Sequence, residues 1–112
     1  MSNEFNIVSK IQNNVMVLTT DGYINNKAGE KILEVFSNSF TEGINKVVMD
    51  LEKSKVVNSM GISYLIDIIE RLSESNSELT FTNLDPTIEK TFKIMGIFQF
   101  AQKADSVESA LK

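Results

Sequence analysis

The chain has 112 residues, of which 42% are hydrophobic, and its 15 acidic and 11 basic residues give a formal net charge of −4. This length suits one compact domain, which we expect to cover residues 1–112. The basic residues are dispersed along the sequence, so nucleic acid is not an expected partner, because a phosphate backbone requires a clustered basic surface.

The residue types that are missing disfavour an enzyme. Without histidine or cysteine the chain cannot build a Ser-His pair, a Cys-His pair or an ordinary zinc site. The five glycines are too widely spaced for a dinucleotide fingerprint or a phosphate loop. Asp50 and Glu52 are the best candidates for a carboxylate pair, but acids on one strand are usually solvated. We therefore predict no enzymatic activity, no cofactor and no metal.

The sequence gives no sign of export or of membrane insertion. Residues 1–4 lack a basic region followed by an apolar stretch, and the apolar runs are all short. We therefore predict a cytoplasmic protein with neither a signal peptide nor a membrane span.

Two strands are predicted at the start of the chain. Apolar residues between Phe5 and Ile11, and again over residues 15–18, are typical of β-strands. The asparagines within residues 12–14 suit a tight turn. These features predict an antiparallel hairpin.

The first predicted helix follows Asp21 and Gly22. Either Asn25 or Asn26 can cap its N-terminus, and the helix is expected to end near Gly43. The spacing of apolar residues predicts the side chains on its inner face: Ala28, Ile32, Leu33, Val35, Phe36 and Phe40.

A buried strand over residues 47–51 precedes a short loop and the segment Asn58-Ser59-Met60-Gly61, which begins a second helix. The first turn of a helix has free backbone N–H groups and the positive end of the helix dipole, and both favour an anion. Ser59 is therefore our candidate for phosphorylation. Apolar residues at helical spacing predict the core-facing stripe of this helix: Ile62, Leu65, Ile66, Ile69 and Leu72.

The opposite face of the second helix is also partly apolar. At about 100° per residue, Met60 and Tyr64 face away from the core stripe, and Ile68 lies on its flank. These residues predict a mixed contact patch beside Ser59. Scattered exposed apolar residues are also normal on protein surfaces, so spacing alone leaves both interpretations open. Three charged residues supply the predicted polar rim: Asp67, Glu70 and Arg71.

The last third of the chain predicts a strand over residues 79–82, a helix that starts at Asp85-Pro86 and ends at Gly96, and a short strand over residues 98–101. Ser106 can cap a closing helix. The predicted inner residues of these two helices are Ile88, either Thr91 or Phe92, Met95, Val107, Ala110 and Leu111. The alternation of strands and helices predicts an α/β fold, with a mixed sheet that begins with the hairpin and helices packed against it.

The order and spacing of these motifs resemble the STAS domain family, the sulphate transporter and anti-sigma factor antagonist domains, and in particular its free-standing bacterial antagonists. The family has a strand ending in Asp-Leu, then Asp-Ser-(Ser/Thr)-Gly at the start of a helix. The matching segments here are Asp50-Leu51 and Asn58-Ser59-Met60-Gly61. Gly22-Tyr23-Ile24-Asn25 stands where the family often has Gly-Glu-Leu-Asp. Asparagine thus replaces both family aspartates, and Met60 replaces a small hydroxyl residue.

The resemblance implies a single STAS domain that acts as an anti-sigma factor antagonist. Its partners would be an anti-sigma factor that is also a serine kinase, whose phosphorylation of Ser59 would end binding, and a serine phosphatase. The residues implied in partner binding are Asp21, Gly22, Asn25, Asn58, Met60, Gly61 and Tyr64. The alternative is a STAS scaffold or a transporter-associated binding domain, in which Ser59 is only a helix-capping hydroxyl. Binding of a small ligand by the exposed loops has no support from any residue.

Overall fold

A computed structural model describes residues 4–112, so residues 1–3, on which part of the export prediction rests, lie outside the described chain. No helix in the described part has the length and apolar character needed to cross a bilayer. The elements in chain order are β1 (Asn6–Gln12), β2 (Val15–Asp21), α1 (Asn26–Ser39), β3 (Lys46–Lys53), α2 (Ser59–Glu74), β4 (Glu78–Thr82), α3 (Pro86–Ile94), a 3-10 turn (Ile97–Gln99), β5 (Gln102–Ala104) and α4 (Val107–Ala110).

The strands form one mixed sheet in the order β1-β2-β3-β4-β5. β1 and β2 pair antiparallel, and each later strand pairs parallel with the one before it. Asn13 and Asn14 have φ values of 52° and 67°, the positive values that a two-residue hairpin turn requires. The predicted α/β fold with an opening hairpin is confirmed.

The main core lies on one face of the sheet, beneath α1, α2 and α3. Alternate residues of a strand point to the same face, and Val47, Met49 and Leu51 of β3 are all fully buried there. The ring of Phe92 in α3 lies 5.1 Å from that of Phe81 in β4, measured between ring centroids. This aromatic pair holds α3 against the sheet.

The short helix α4 covers part of the other face, where it contacts β3, β4 and β5. The Nζ of Lys46 donates a hydrogen bond to the carbonyl oxygen of Ala110 in the last turn of α4. A lysine in this position satisfies a carbonyl that has no partner within the helix. Val48, two residues further along β3, is fully buried on the same face.

Four predictions about local structure are wrong. Residues 98–101 form no strand, because the chain makes the 3-10 turn first and β5 begins only at Gln102. Met95 is 50% exposed, because Gly96 has a φ of 76° and reverses the chain directly after α3. Leu111 is exposed beyond the end of α4, and α1 ends at Ser39 rather than near Gly43.

Candidate functional site

The site is built where β2 and β3 end, because the ends of parallel strands meet at the same edge of a sheet. The N–H of Gly22 donates to the carbonyl of Lys53 at 2.9 Å, and the N–H of Ile24 donates to Val56 at 3.0 Å. The N–H of Asn58 donates a hydrogen bond of 3.1 Å to the carbonyl oxygen of Ile24. These three bonds hold the β2–α1 and β3–α2 loops together, so the two helices begin side by side.

A buried pair of hydroxyl groups strengthens this junction. The Oγ1 of Thr20 lies 2.7 Å from the Oγ of Ser54, and both side chains are fully buried. Thr20 belongs to β2, and Ser54 begins the β3–α2 loop. The hydroxyls satisfy each other, which removes the cost of burying either one alone.

Asparagine side chains cap both helices. The Oδ1 of Asn25 accepts a hydrogen bond from the N–H of Ala28 at 3.0 Å, and the Oδ1 of Asn58 accepts one from Gly61 at 2.9 Å. Both asparagines have extended backbone conformations, as N-cap residues do. Of the two candidates for the first cap, Asn25 is therefore the cap, and the cap predicted at Asn58 is present.

We expect Asn58→Ala to lower the free energy of unfolding by about 1 kcal/mol, since it removes the bond to Gly61. Asn58→Asp keeps a capping oxygen and should change stability by less than about 0.5 kcal/mol. Urea denaturation of the two variants and the wild type measures both effects. Equal losses in the two variants would show that the capping bond is not the cause.

Ser59 is the first residue of α2, and its side chain is exposed. Its hydroxyl forms no hydrogen bond with any residue from 4 to 112. The N–H groups of Asn58 and Gly61 already have acceptors, whereas helix geometry leaves those of Ser59 and Met60 without one inside the helix. An anion attached to the Ser59 oxygen would therefore find two free donors and the positive end of the α2 dipole.

Exposed apolar side chains lie at the same junction as Ser59, on the two loops that the backbone hydrogen bonds hold together. Met60 is 52% exposed, Tyr23 in the β2–α1 loop 47%, and Val56 in the β3–α2 loop 57%. We call Tyr23, Val56, Ser59 and Met60 the Ser59 surface. The sequence prediction omitted Tyr23 and Val56 because neither lies on a helix, where periodicity reveals an exposed apolar residue. Their positions beside capping segments were the only available signal.

A shallow depression of about 150 Å³ borders the Ser59 surface at Val56. Ile62 of α2 and Ile88 and Phe92 of α3 contribute apolar side chains to it, and Lys55 is also part of its lining.

Tyr64 does not face away from the protein as predicted. Its ring packs against Gly29 of α1, so closely that a Cβ atom on Gly29 would lie 2.4 Å from a ring carbon. Partial burial, and then the neighbouring carboxylate of Glu30, raise the pKa of the Tyr64 hydroxyl above its usual value. Ile68, predicted on the flank of the outer face, is fully buried. Of the outer residues predicted on α2, Met60 is the one that contributes to the Ser59 surface.

The remaining predicted site residues lie at the same junction in different settings. Asp21 is exposed at the end of β2, opposite Lys53 in the strand register. Gly22 has a φ of 119°, a value that side chains disfavour. Gly61 is buried, and a Cβ atom there would lie 2.3 Å from the carbonyl oxygen of Ile24. Gly61 therefore permits the close approach of α2 to the β2–α1 loop within the protein itself.

The carboxylates of Asp50 and Glu52 are not a pair poised for chemistry. Asp50 is only 9% exposed, and its Oδ1 accepts hydrogen bonds from the side chain of Asn83 at 2.9 Å and from the N–H of Glu52 at 3.1 Å. It therefore holds the loop after β4 against β3. The side chain of Glu52 is exposed. Within residues 4–112, no cluster of three or more acidic, histidine or cysteine side chains could hold a metal ion.

The family model of the STAS domain matches residues 6–110. BtrV of Bordetella bronchiseptica, a candidate anti-sigma factor antagonist, is 23% identical over 96 residues, which cover 86% of this chain and 83% of BtrV.

Two solved structures share the fold. An anti-sigma factor antagonist from Mycobacterium paratuberculosis superposes with a TM-score of 0.84 at 14% identity, over 99% of this chain and 94% of that protein. The unphosphorylated Bacillus antagonist SpoIIAA superposes with a TM-score of 0.74 at 18% identity, over 96% and 94% of the two chains. SpoIIAA has also been solved in a phosphorylated form, with the same TM-score.

Proposed function

The chain belongs to the STAS domain family, and on that premise we propose that it is an anti-sigma factor antagonist whose binding is switched by phosphorylation of Ser59. The unphosphorylated protein binds an anti-sigma factor through the Ser59 surface and thereby frees a sigma factor. The anti-sigma factor is also a serine kinase, and its phosphorylation of Ser59 ends the interaction. A serine phosphatase restores the binding form, and the cycle takes place in the cytoplasm.

One observation carries this proposal: within residues 4–112 the Ser59 hydroxyl is exposed and unbonded at the start of α2, at the junction that also exposes apolar side chains. A kinase can reach such a hydroxyl without unfolding the protein, because among residues 4–112 the Ser59 hydroxyl makes no hydrogen bond that must first be broken. The exposed side chains of Tyr23, Val56 and Met60 provide apolar contact area at the same junction. Apolar and aromatic residues of this kind form the centres of protein interfaces.

The effect of phosphorylation follows from charge and solvation. A phosphoserine carries about −1.5 to −2 charges at neutral pH. In the free protein this charge is tolerated, because the N–H groups of Ser59 and Met60 and the α2 dipole stabilise it. Inside a desolvated apolar contact the same charge is costly unless the partner supplies a cation. Partner binding is therefore lost while the fold is retained.

The asparagine caps leave both helix N-termini without a carboxylate before phosphorylation. Asn25 and Asn58 stand where the family has aspartates, and both cap their helices without a charge. The phosphate would therefore not be repelled by a carboxylate at either cap. The change in charge at the two helix N-termini would come from the phosphate alone.

Mass spectrometry of the protein purified from its native cells, with phosphatase inhibitors present, tests the proposal directly. We expect a single phosphate on Ser59 whose occupancy changes with growth conditions. Ser59→Ala, expressed in the same cells, should carry no phosphate, and exposed Ser63 in the same helix should stay unmodified. If Ser59 were unmodified under every condition, the alternative of an unphosphorylated STAS scaffold would replace the switch.

A further inference from the structure

A second surface lies on the other half of α2, away from Ser59. A groove of about 470 Å³ runs between α2 and the segment that joins α3 to β5. Five apolar side chains line it: Ile66, Ile69, Met95, Ile97 and Phe100. Its lining residues on α2 follow Ser59 by 7 to 15 positions, which places them about 10–22 Å further along the helix axis.

The α3–β5 wall of the groove is unusually exposed. Phe100 is 74% exposed and Met95 50%, and Ile94 beside them is 75% exposed. The left-handed conformation of Gly96 turns the chain after α3, and the 3-10 turn then directs the chain toward β5. Three large exposed apolar side chains thus lie within seven residues of the chain, whereas on most proteins exposed apolar residues are scattered singly.

The rim of this groove is acidic. Glu70 and Glu74 lie four residues apart on α2, so their like charges repel each other. They also lie in the last two turns of the helix, where the dipole disfavours negative charge. None of the groove-lining residues in the described part of the chain is basic, and Arg71 beside them is paired with Asp67 at 3.1 Å. A cation supplied by another molecule would reduce both the repulsion between Glu70 and Glu74 and their unfavourable interaction with the helix dipole.

We propose that this groove docks an amphipathic segment of a partner protein, one that presents apolar side chains flanked by lysine or arginine. The apolar side chains occupy the groove between Ile66, Met95 and Phe100. The basic groups meet Glu70, Glu74 and the negative end of the α2 dipole. Helices with one apolar face recognise grooves in this way.

This inference goes beyond the Ser59 switch and does not depend on it. Because the lining residues on α2 begin about 10 Å along the helix axis from Ser59, a phosphate on Ser59 would make no contact with them. A partner bound in the groove would stay bound in both phosphorylation states. A partner on the Ser59 surface would bind only the unphosphorylated form.

The test uses the whole chain, isotope-labelled, in an NMR titration with a synthetic leucine/lysine amphipathic peptide about five helical turns long. A peptide with glutamate in place of lysine is the matched probe. We expect the lysine peptide to shift amide signals of residues 66–74 and 95–100, and to bind at least about tenfold more tightly than the glutamate peptide.

Variants separate the apolar and charged contributions. Phe100→Ser and the double variant Glu70→Gln/Glu74→Gln should each weaken binding of the lysine peptide by about tenfold. Glu30→Gln/Glu34→Gln removes a matched pair of exposed carboxylates four residues apart on α1. This double variant should leave the affinity for the lysine peptide unchanged. Phe100 is mostly exposed, so its replacement should leave distant amide signals in place, and Met95→Ser provides a second apolar variant.

Three outcomes would overturn the proposal. The first is an equal affinity for both peptides, and the second is a set of shifts centred on Met60 rather than on the groove. The third is self-association in sedimentation experiments that Phe100→Ser abolishes, because a second copy of the chain would then cover the groove. If Ser59 were never phosphorylated in cells, the proposed switch would be wrong. The peptide measurements at the groove would be unaffected, so the two proposals fail separately.

Discussion

The Ser59→Asp variant is expected to bind the anti-sigma factor at least about 100-fold more weakly than the wild type, equivalent to about 2.7 kcal/mol. The aspartate places a fixed negative charge among Tyr23, Val56 and Met60, where the partner must exclude water. Its stability should be equal to or slightly above that of the wild type, because a carboxylate in the first turn of α2 interacts favourably with the helix dipole. Isothermal titration calorimetry with the kinase of the same genome measures the affinity.

Two matched variants isolate the charge at this position. Ser59→Ala removes the phosphorylation site without adding charge, so it should bind the partner as the wild type does and resist inactivation by kinase and ATP. Ser37→Asp adds the same charge to an exposed serine of α1 and should leave the affinity unchanged. Wild-type affinity in Ser59→Asp would show that charge at α2 is not the switch.

Gly61→Ala should lower the free energy of unfolding by about 3 kcal/mol, although alanine is intrinsically the better helix former by about 1 kcal/mol. The added Cβ would lie 2.3 Å from the carbonyl oxygen and 2.9 Å from the carbonyl carbon of Ile24. These are backbone atoms, and the same Ile24 carbonyl accepts the bond from Asn58. The β2–α1 loop would have to move, and the junction beneath the Ser59 surface would open. Urea denaturation gives the stability change.

Ser63→Ala is the control for this substitution, because Ser63 is exposed on the same helix and has only a hydrogen bond to the carbonyl of Ser59. It should change the free energy of unfolding by less than about 0.5 kcal/mol. A Gly61→Ala protein as stable as the wild type would mean that the loop moves at little cost. The contact with Ile24 would then not explain why glycine occupies position 61.

Local sequence signals predicted the parts of the fold in which neighbours along the chain decide the structure. Asparagine followed by a helical apolar stripe predicted the cap at Asn58 and limited the first cap to Asn25 or Asn26, because the capping bond spans only three residues. Asn13 and Asn14 predicted the hairpin for the same reason, since few residues adopt positive φ. Asp85-Pro86 predicted the start of α3, and the Oδ2 of Asp85 accepts the N–H of Thr87 at 3.1 Å.

The wrong predictions concern side chains whose surroundings come from distant parts of the chain. Periodicity placed Tyr64 outside because it treats α2 as having one buried face, whereas α1 packs against a second side of that helix. Gly29 makes room for the Tyr64 ring, and the two residues are 35 positions apart. Met95 has the spacing of a core residue, but the turn at Gly96 carries the chain away before a neighbour covers it.

The amino-acid sequence alone determined the order of the strands and helices, the cap at Asn58, the mixed α/β sheet and the location of Ser59 in the first turn of α2. These follow from short-range hydrogen bonds and from the spacing of apolar residues. The tertiary structure alone decided that Tyr23 and Val56 are exposed at the same junction as Met60 and Ser59. It also packed Tyr64 against α1, buried Ile68, and formed an apolar groove with an acidic rim along the second half of α2. Exposure depends on which elements pack together in space, and the spacing of residues within one element does not contain that information.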